Sequence, residues 1–185
     1  ILTGGPIVRQ ATLDAILWAF RLSIPVAVVL CLIVAFLFMR SLRYAIVSAI
    51  PVLLVVAWLY GFMYALGYDV NVVTATIGAI SIGVGIDFSV HFTMRFREEM
   101  ETATSLDEAL DRAGRGTGGP LVASGMSSIL GFSILSMAPM PMFASYGFLT
   151  ALMIVFALVA ALFVLPSMLA LTTPEPRKAT SPDKT

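Results

Sequence analysis

Long apolar stretches alternate with short polar breaks along the whole chain, and the stretches predict its elements. Five of them, at 23–39, 44–66, 72–94, 121–137 and 143–171, approach or exceed the ~20 apolar residues a helix needs to cross the hydrocarbon core of a bilayer. They are too continuously apolar for the alternating strands of an outer-membrane barrel. A segment in lipid must satisfy its backbone groups internally, which leaves the helix. The pattern therefore predicts an all-α fold, a polytopic bundle of five transmembrane helices over 23–171 with short interfacial and cytoplasmic helices attached. Residues 1–22 read as an outer-side entry segment. Within it, 7–20 carry spaced apolar positions and Trp18, the pattern of an interfacial helix. Residues 95–120 read as a cytoplasmic loop. There Ser105, followed three residues later by Glu108, forms a capping box that starts a short helix to about Ala113. Gly114, Gly116, Gly118 and Gly119 are then expected to break the chain, with Pro120 in the first turn of the fourth span. The tail 172–185, rich in Pro, Thr and Lys, is expected to be disordered.

Composition settles the class. Hydrophobic residues make up 59% of the chain and charged residues 12%, with a mean hydropathy of +0.97. That is about half the charge of an ordinary soluble domain, too little to cover a globule with polar surface. The net charge is zero and no basic stripe is present, so no nucleic-acid partner is expected. Basic residues also orient the bundle. Arg40, Arg43, Arg95, Arg97, Arg112, Arg115, Arg177, Lys178 and Lys184 fall on one side of the predicted spans, and only Arg9 and Arg21 on the other. The positive-inside rule makes the first side, and with it the C-terminus, cytoplasmic. The single Cys31 lies in an apolar run and forms no internal disulfide. The chain lacks a first Met and a signal-peptide pattern, and reads as a segment that begins mid-protein.

One residue stands out against this background. Asp87 is the only Asp or Glu in the third predicted span. A carboxylate near the centre of a membrane helix costs about 2.5–3.5 kcal/mol on translocon-based scales, and such residues mark ion or substrate paths. Helical steps from Asp87 reach Gly83 behind it and His91 ahead of it, so the three share a stripe. Gly78, Gly83 and Gly85 are candidate packing positions, since small residues let neighbouring helices approach closely. A carboxyl beside glycines predicts a packed bundle interior with room for water, not exposure to lipid. With His91 one turn away, a proton has two sites whose relative affinity follows the packing around them. Ser124, Ser127 and Ser128 in the fourth span are candidate hydrogen-bond partners of Asp87, although serines in helices also bond back to their own carbonyls. No nucleophile–base pair, phosphate loop or Cys/His cluster is present, so neither an enzyme nor a metal or cofactor site is expected.

The run Gly83-Val84-Gly85-Ile86-Asp87-Phe88-Ser89-Val90-His91-Phe92, continuing to Arg95-Phe96-Arg97-Glu98-Glu99, resembles the fourth and tenth transmembrane helices of resistance–nodulation–division (RND) transporters. It is most similar to the mycobacterial large membrane protein (MMPL) and predicted-exporter type, which in turn resembles sterol-sensing domains. The stretch from Gly118 to Gly131 resembles the next helix, and Thr3-Gly4-Gly5-Pro6 the family's exit from its external porter domain. The resemblance implies one five-helix block of a two-half transporter, helices two to six or eight to twelve, with the polar tail favouring the latter. It implies a proton-motive-force-driven exporter of lipidic or hydrophobic compounds in the inner membrane of a prokaryote, with protons as the coupling ion and Asp87 in their relay. It also implies as partners the lipid bilayer, the other half of the transporter and its external porter domain; a homo-oligomer is an assembly such a block allows. Many members carry Tyr after the acid, where this chain has Phe88, which leaves His91 or a serine as the relay partner. Two other readings remain open: a sterol-sensing-like lipid-binding module, and an auxiliary subunit of protein export.

Overall fold

The computed structural model describes the backbone of residues 5–68 and 72–174, and the side chains of 18, 21, 22, 25–68, 74 and 76–174. The described residues are helical throughout, with no strand. In order they form α1 (Gly5–Met39), α2 (Leu42–Ala65), α3 (Val72–Met100), α4 (Leu106–Leu135) and α5 (Pro141–Val159), then a π-turn (Ala160–Val164) and α6 (Leu165–Thr172). Among the described residues, four stretches are long and apolar enough to cross a membrane: Leu42–Ala65, Thr76–Met100, Leu106–Leu135 and Pro141–Thr172. The first predicted span falls in α1, whose described apolar part, Pro25–Met39, is shorter. The fold is a helical membrane bundle, as the pattern of apolar runs predicts. The disordered tail was expected at 172–185; α6 runs to Thr172, and 175–185 lie outside the described residues.

Two expected breaks are absent. Residues 7–20 and 23–39 belong to one continuous helix, α1. The stretch 95–120 is mostly helical: α3 runs to Met100, and α4 starts at Leu106 and continues through Gly114, Gly116, Gly118, Gly119 and Pro120 to Leu135. A helix glycine costs about 1 kcal/mol relative to alanine in water, but two of these positions are used in packing. A Cβ on Gly116 would lie 3.3 Å from Nε of Arg95, and one on Gly118 would meet Leu162 Cδ2 at 3.9 Å. The glycines let α4 lie close to its neighbours while the backbone stays hydrogen-bonded.

The helix ends follow their local sequence. The α2 terminus carries Gly67 at φ +70°, with Tyr68 N–H bonded to Met63 O at 2.9 Å and Gly67 N–H to Tyr64 O at 3.2 Å, a Schellman closure. At the start of α4, Ser105 Oγ accepts from Glu108 N–H at 3.2 Å, as the capping box predicts. The Glu108 carboxylate reaches back one residue further than that box requires, to Thr104 N–H (2.9 Å) and Thr104 Oγ1 (2.6 Å). The π-turn precedes Pro166, which cannot donate to a carbonyl four residues back and whose ring would crowd it. The wider turn, in which Leu165 N–H reaches Ala160 O, relieves that conflict without leaving the helix.

Helix α3 is the centre of the bundle and touches α1, α2, α4 and α5. Its buried face is an aromatic stripe, Phe88, Phe92 and Phe96, spaced one helical turn apart. That stripe packs into a core built with Leu59 and Met63 of α2, Leu149 and Met153 of α5, and Leu165 and Leu169 of α6. A smaller cluster of Ala35, Ala45, Val52, Ile82 and Ile86 fixes α1 and α2 on the other flank. The tightest crossing is α4 on α5: a Cβ on Gly147 would come within 2.5 Å of Ser136 N and 2.6 Å of Phe132 O. Both atoms are backbone and cannot swing aside. Gly147→Ala is therefore expected to destabilise the detergent-purified protein by about 1–3 kcal/mol. Gly61→Ala, at an α2 position where a Cβ meets nothing within 4 Å, should be neutral or stabilise by up to about 1 kcal/mol. Thermal unfolding followed by size-exclusion fluorescence checks the pair, and equal melting points would contradict the crossing.

Candidate functional site

About 100° around α3 from the aromatic stripe lies its polar face. Asp87, His91 and Arg95 recur at intervals of four and are all exposed. They line a cleft of about 640 Å³ between α1, α3 and α4. Helix α1 contributes Val34 and Phe38. Helix α3 contributes Ile86, Asp87, Val90, His91, Met94, Arg95 and Glu98. Helix α4 contributes Thr117, Pro120, Leu121 and Ser124. The room for water expected beside Asp87 is present as this cleft, whereas the acid is exposed and not enclosed by the bundle. The aromatic stripe takes the core side of the helix, and the acid, about 100° around from Phe88, is turned to an open face. Phe88 is buried and directed away from the cleft.

Among the described residues, no hydrogen bond or ion pair reaches the Asp87 carboxylate or the His91 ring. The expected serines divide. Ser124 lines the cleft with Asp87. Ser127 is exposed but outside the lining, and Ser128 donates to its own helix at Ser124 O, 3.3 Å away. The glycines divide as well. Gly78 makes room for the Tyr60 hydroxyl, which a Cβ there would overlap. Gly85 lies against Val52 Cγ1, 3.4 Å from the position of a Cβ. Gly83 is exposed, with nothing within 4 Å of a Cβ, on the same open face as Asp87. Among the described residues no group of His, Cys, Asp and Glu is arranged to hold a metal ion.

Several polar contacts near the site were not singled out from the sequence. Ser48 of α2 and Thr93 of α3, both fully buried, share a hydrogen bond of 2.8 Å, and Ser48 Oγ also lies 3.8 Å from Met39 Sδ. Arg97 donates to Met39 O at the end of α1 and stacks on the Tyr44 ring at 5.1 Å. The chain turns there at Arg40, whose φ of 48° lies in the left-handed region. Arg97 so occupies a carbonyl that the helix end leaves without an intrahelical donor. At the cleft mouth Arg95 pairs with Glu98 (3.2 Å) and Glu99 (2.6 Å), and Arg112 of α4 reaches Glu99 (3.8 Å) and Glu108 (2.5 Å). A charge run at a helix end most often reads as solvated surface. The one usable signal was the single-turn spacing that aligns Arg95 with Asp87 and His91.

With this geometry in place, relatives become informative. The model of the MMPL family matches residues 1–184. The chain belongs to the MMPL family. It is 31% identical over 171 residues to a membrane protein of Methanocaldococcus jannaschii, covering 92% of this chain and 44% of that protein. It is 26% identical over 169 residues to the mycolic acid-containing lipids exporter of Mycolicibacterium smegmatis, covering 90% of this chain and 17% of the exporter. It is 26% identical over 110 residues to the hopanoid transporter of Rhodopseudomonas palustris, covering 60% of this chain and 13% of the transporter. The chain therefore spans less than half the length of these relatives. Membership of the MMPL family agrees with the RND-type resemblance of the Asp87 segment.

The Ser48–Thr93 pair is a buried side-chain bond that ties α2 to α3. A double-mutant cycle of Ser48→Ala and Thr93→Val should give a coupling energy of about 0.5–1.5 kcal/mol, the scale of interhelical hydrogen bonds in membranes. Additive losses in the two single variants, read by thermal unfolding in detergent, would show that the bond contributes nothing.

Proposed function

We propose that this chain is the membrane block of a proton-driven exporter of lipidic or hydrophobic compounds, and that Asp87 binds and releases the coupling proton. The observation that carries this reading is the Asp87 carboxylate itself. It sits within an apolar helix with no counter-charge, on an open face, with His91 one turn further along the same cleft. A fixed structural role would bring hydrogen-bond donors or an ion pair to a carboxylate at that depth. An exchangeable proton needs a site that is neutral in one state and charged in another. One charge crossing 100 mV carries about 2.3 kcal/mol, enough to bias a conformational equilibrium about fiftyfold.

The substrate class rests on two relatives named for the lipids they carry, the hopanoid transporter and the mycolic acid-containing lipids exporter. In this reading the block works with a second half and an external porter domain, in the inner membrane of a prokaryote. The end carrying Arg95, Arg112 and Arg115 faces the cytoplasm by the positive-inside rule. His91 and Ser124 serve Asp87 through water in the cleft. Ser127 and Ser128 stay on the open α4 face, where they are better placed against another helix than against lipid. Protons are the only coupling species required, and no catalytic step is assigned.

The test is Asp87→Asn in the full-length protein. Export measured in cells or proteoliposomes with an imposed proton gradient should fall at least about tenfold, which corresponds to only ~1.4 kcal/mol of lost coupling. Insertion and thermal stability should be unchanged. Wild-type export by this variant removes Asp87 from the proton path. Retained lipid binding that ignores the proton gradient in the wild-type protein favours a sterol-sensing-like binding module instead.

A further inference from the structure

The charges at the end of the bundle that bears Arg95 fall into two groups. On α3 and α4 the arginines are matched: Arg95 pairs with Glu98 and Glu99, Arg112 with Glu99 and Glu108, and Arg115 with Asp111. At the α1–α2 corner they are not. Residues 15–68 contain no Asp or Glu. Arg40 and Arg43 are exposed there, and Arg97 of α3 joins them, its guanidinium held between Met39 O and the Tyr44 ring. Among the described residues none of these three makes an ion pair, and Glu101, one turn further along α3, does not reach Arg97. Helix α2 begins at the same corner with no side-chain cap from its N-cap Ser41, so its positive end adds to the same field. Beside these cations lies exposed apolar surface. Leu42, Ile46, Ile50 and Leu53 form an exposed stripe down α2. From Leu42 to Leu53 the stripe runs about 16 Å at 1.5 Å per residue, roughly half the ~30 Å hydrocarbon core and so the depth of one leaflet.

We infer that the α1–α2 corner binds the headgroup of an anionic phospholipid, with Arg40 and Arg43 on its phosphate and an acyl chain along the Leu42–Leu53 stripe of α2. Charge balance is the main support. Unpaired cations at a membrane interface attract anionic headgroups, and the arginines of α3 and α4 at the same end, already neutralised, lack that attraction. The apolar stripe favours a lipid over a free phosphate, which has no use for it. A zwitterionic headgroup brings no net charge to three unmatched cations. By the positive-inside rule this end faces the cytoplasm, and the cytoplasmic leaflet is the one that carries anionic lipid. Arg97 has a different part from the other two. Its contacts with Met39 O and Tyr44 leave it half-buried, so it supplies charge behind the exposed pair and ties the corner to α3. A lipid bound here steadies the corner to which the Asp87 helix is fastened. Its binding does not require Asp87 to take up a proton.

The test uses the full-length protein, purified and stripped of lipid in a neutral detergent. It is titrated with phosphatidylglycerol, phosphatidylcholine or inorganic phosphate, and binding is read by native mass spectrometry and by the rise in melting temperature. Phosphatidylglycerol should bind and stabilise at concentrations where the other two do neither. Arg40→Gln combined with Arg43→Gln should weaken its binding about 25-fold, at roughly fivefold for each cation lost near an anionic headgroup. Arg40→Lys combined with Arg43→Lys should keep most of it. Arg115→Gln removes a cation that Asp111 already neutralises and should change binding by less than about twofold. If the double Gln variant does not fold, Arg43→Gln alone, with an expected loss of about fivefold, decides. Unchanged binding in the Gln variants, or an equal loss in Arg115→Gln, overturns the site. An equal response to phosphatidylcholine means that acyl chains alone make the contact, and an equal response to inorganic phosphate means an anion site with no lipid in it; either overturns the lipid assignment. No response to any of the three means that another part of the full-length protein covers the corner, which overturns it as well.

Discussion

A backbone in hydrocarbon has no partner outside itself, and most of the architecture follows from that constraint. Each unpaired N–H or C=O in lipid costs several kcal/mol, against about 1 kcal/mol for a glycine in a helix in water. The cost of an unpaired backbone group is the greater of the two, and α4 accordingly stays helical through four glycines and Pro120. It also explains the π-turn ahead of Pro166. The chain widens one turn and keeps its hydrogen bonds instead of ending the helix. In a soluble protein the same stretches would be good places to stop a helix, because water would receive the freed groups.

The same constraint sorts the polar side chains. Several of those that point into the bundle are satisfied pairwise, as Ser48 and Thr93 are, or by their own helix, as Ser81 is through Ile77 O at 2.8 Å, while the buried Thr150 Oγ1 has no hydrogen-bond partner among the described residues. Asp87 follows neither course. It belongs to a helix whose core face is filled by Phe88, Phe92 and Phe96, so one face of α3 holds the bundle together and a face about 100° around from it is left open. The separation is purely rotational. Residues one apart differ by about 100°, and a shift of a single position would place the carboxylate in the aromatic core. Arg97 supports the arrangement from the end of the helix, since its bond to Met39 O ties the end of α3 to the α1–α2 corner.

The apolar runs made the helices legible, because the length needed to cross a bilayer is written directly in the sequence. The breaks between them were less so. The glycines at 114–119 carry turn chemistry in water, yet the helix runs through them; only Gly116, against Arg95, has a tight neighbour in space, and Gly114 and Gly119 have none within 4 Å of a Cβ. Asp87 and His91 were legible as a stripe by counting turns. Which way the stripe faces was not, because glycine is equally consistent with a buried seam and an open one; Gly78 took the first course against Tyr60 and Gly83 the second. The serines were legible as a group, yet only Ser124 lines the cleft, since Ser127 and Ser128 lie about one turn further along α4, beyond the last lining residue of that helix. Arg95 and Glu98 were hidden by their ordinariness: charged residues at a helix end are expected to be solvated, and nothing in a linear reading distinguishes surface from the mouth of a cleft.

The open face of α3 sets two energies against each other on the same scale. A carboxylate exposed to a water-filled cleft keeps its charge cheaply. The same carboxylate covered by another helix face costs about 2.5–3.5 kcal/mol if it stays charged, and a proton taken up beforehand removes that cost. A membrane potential of 100 mV contributes about 2.3 kcal/mol for one charge. Covering and uncovering this one face would therefore load and unload Asp87 with a driving force that the field can tip in either direction. Neither a deeply buried ion pair, too costly to open, nor a fully solvated acid, insensitive to packing, has that property. On the proposed function, a lone acid lining a cleft, flanked by Val34 and Phe38 on one side and by the small and apolar residues of α4 on the other, would have it.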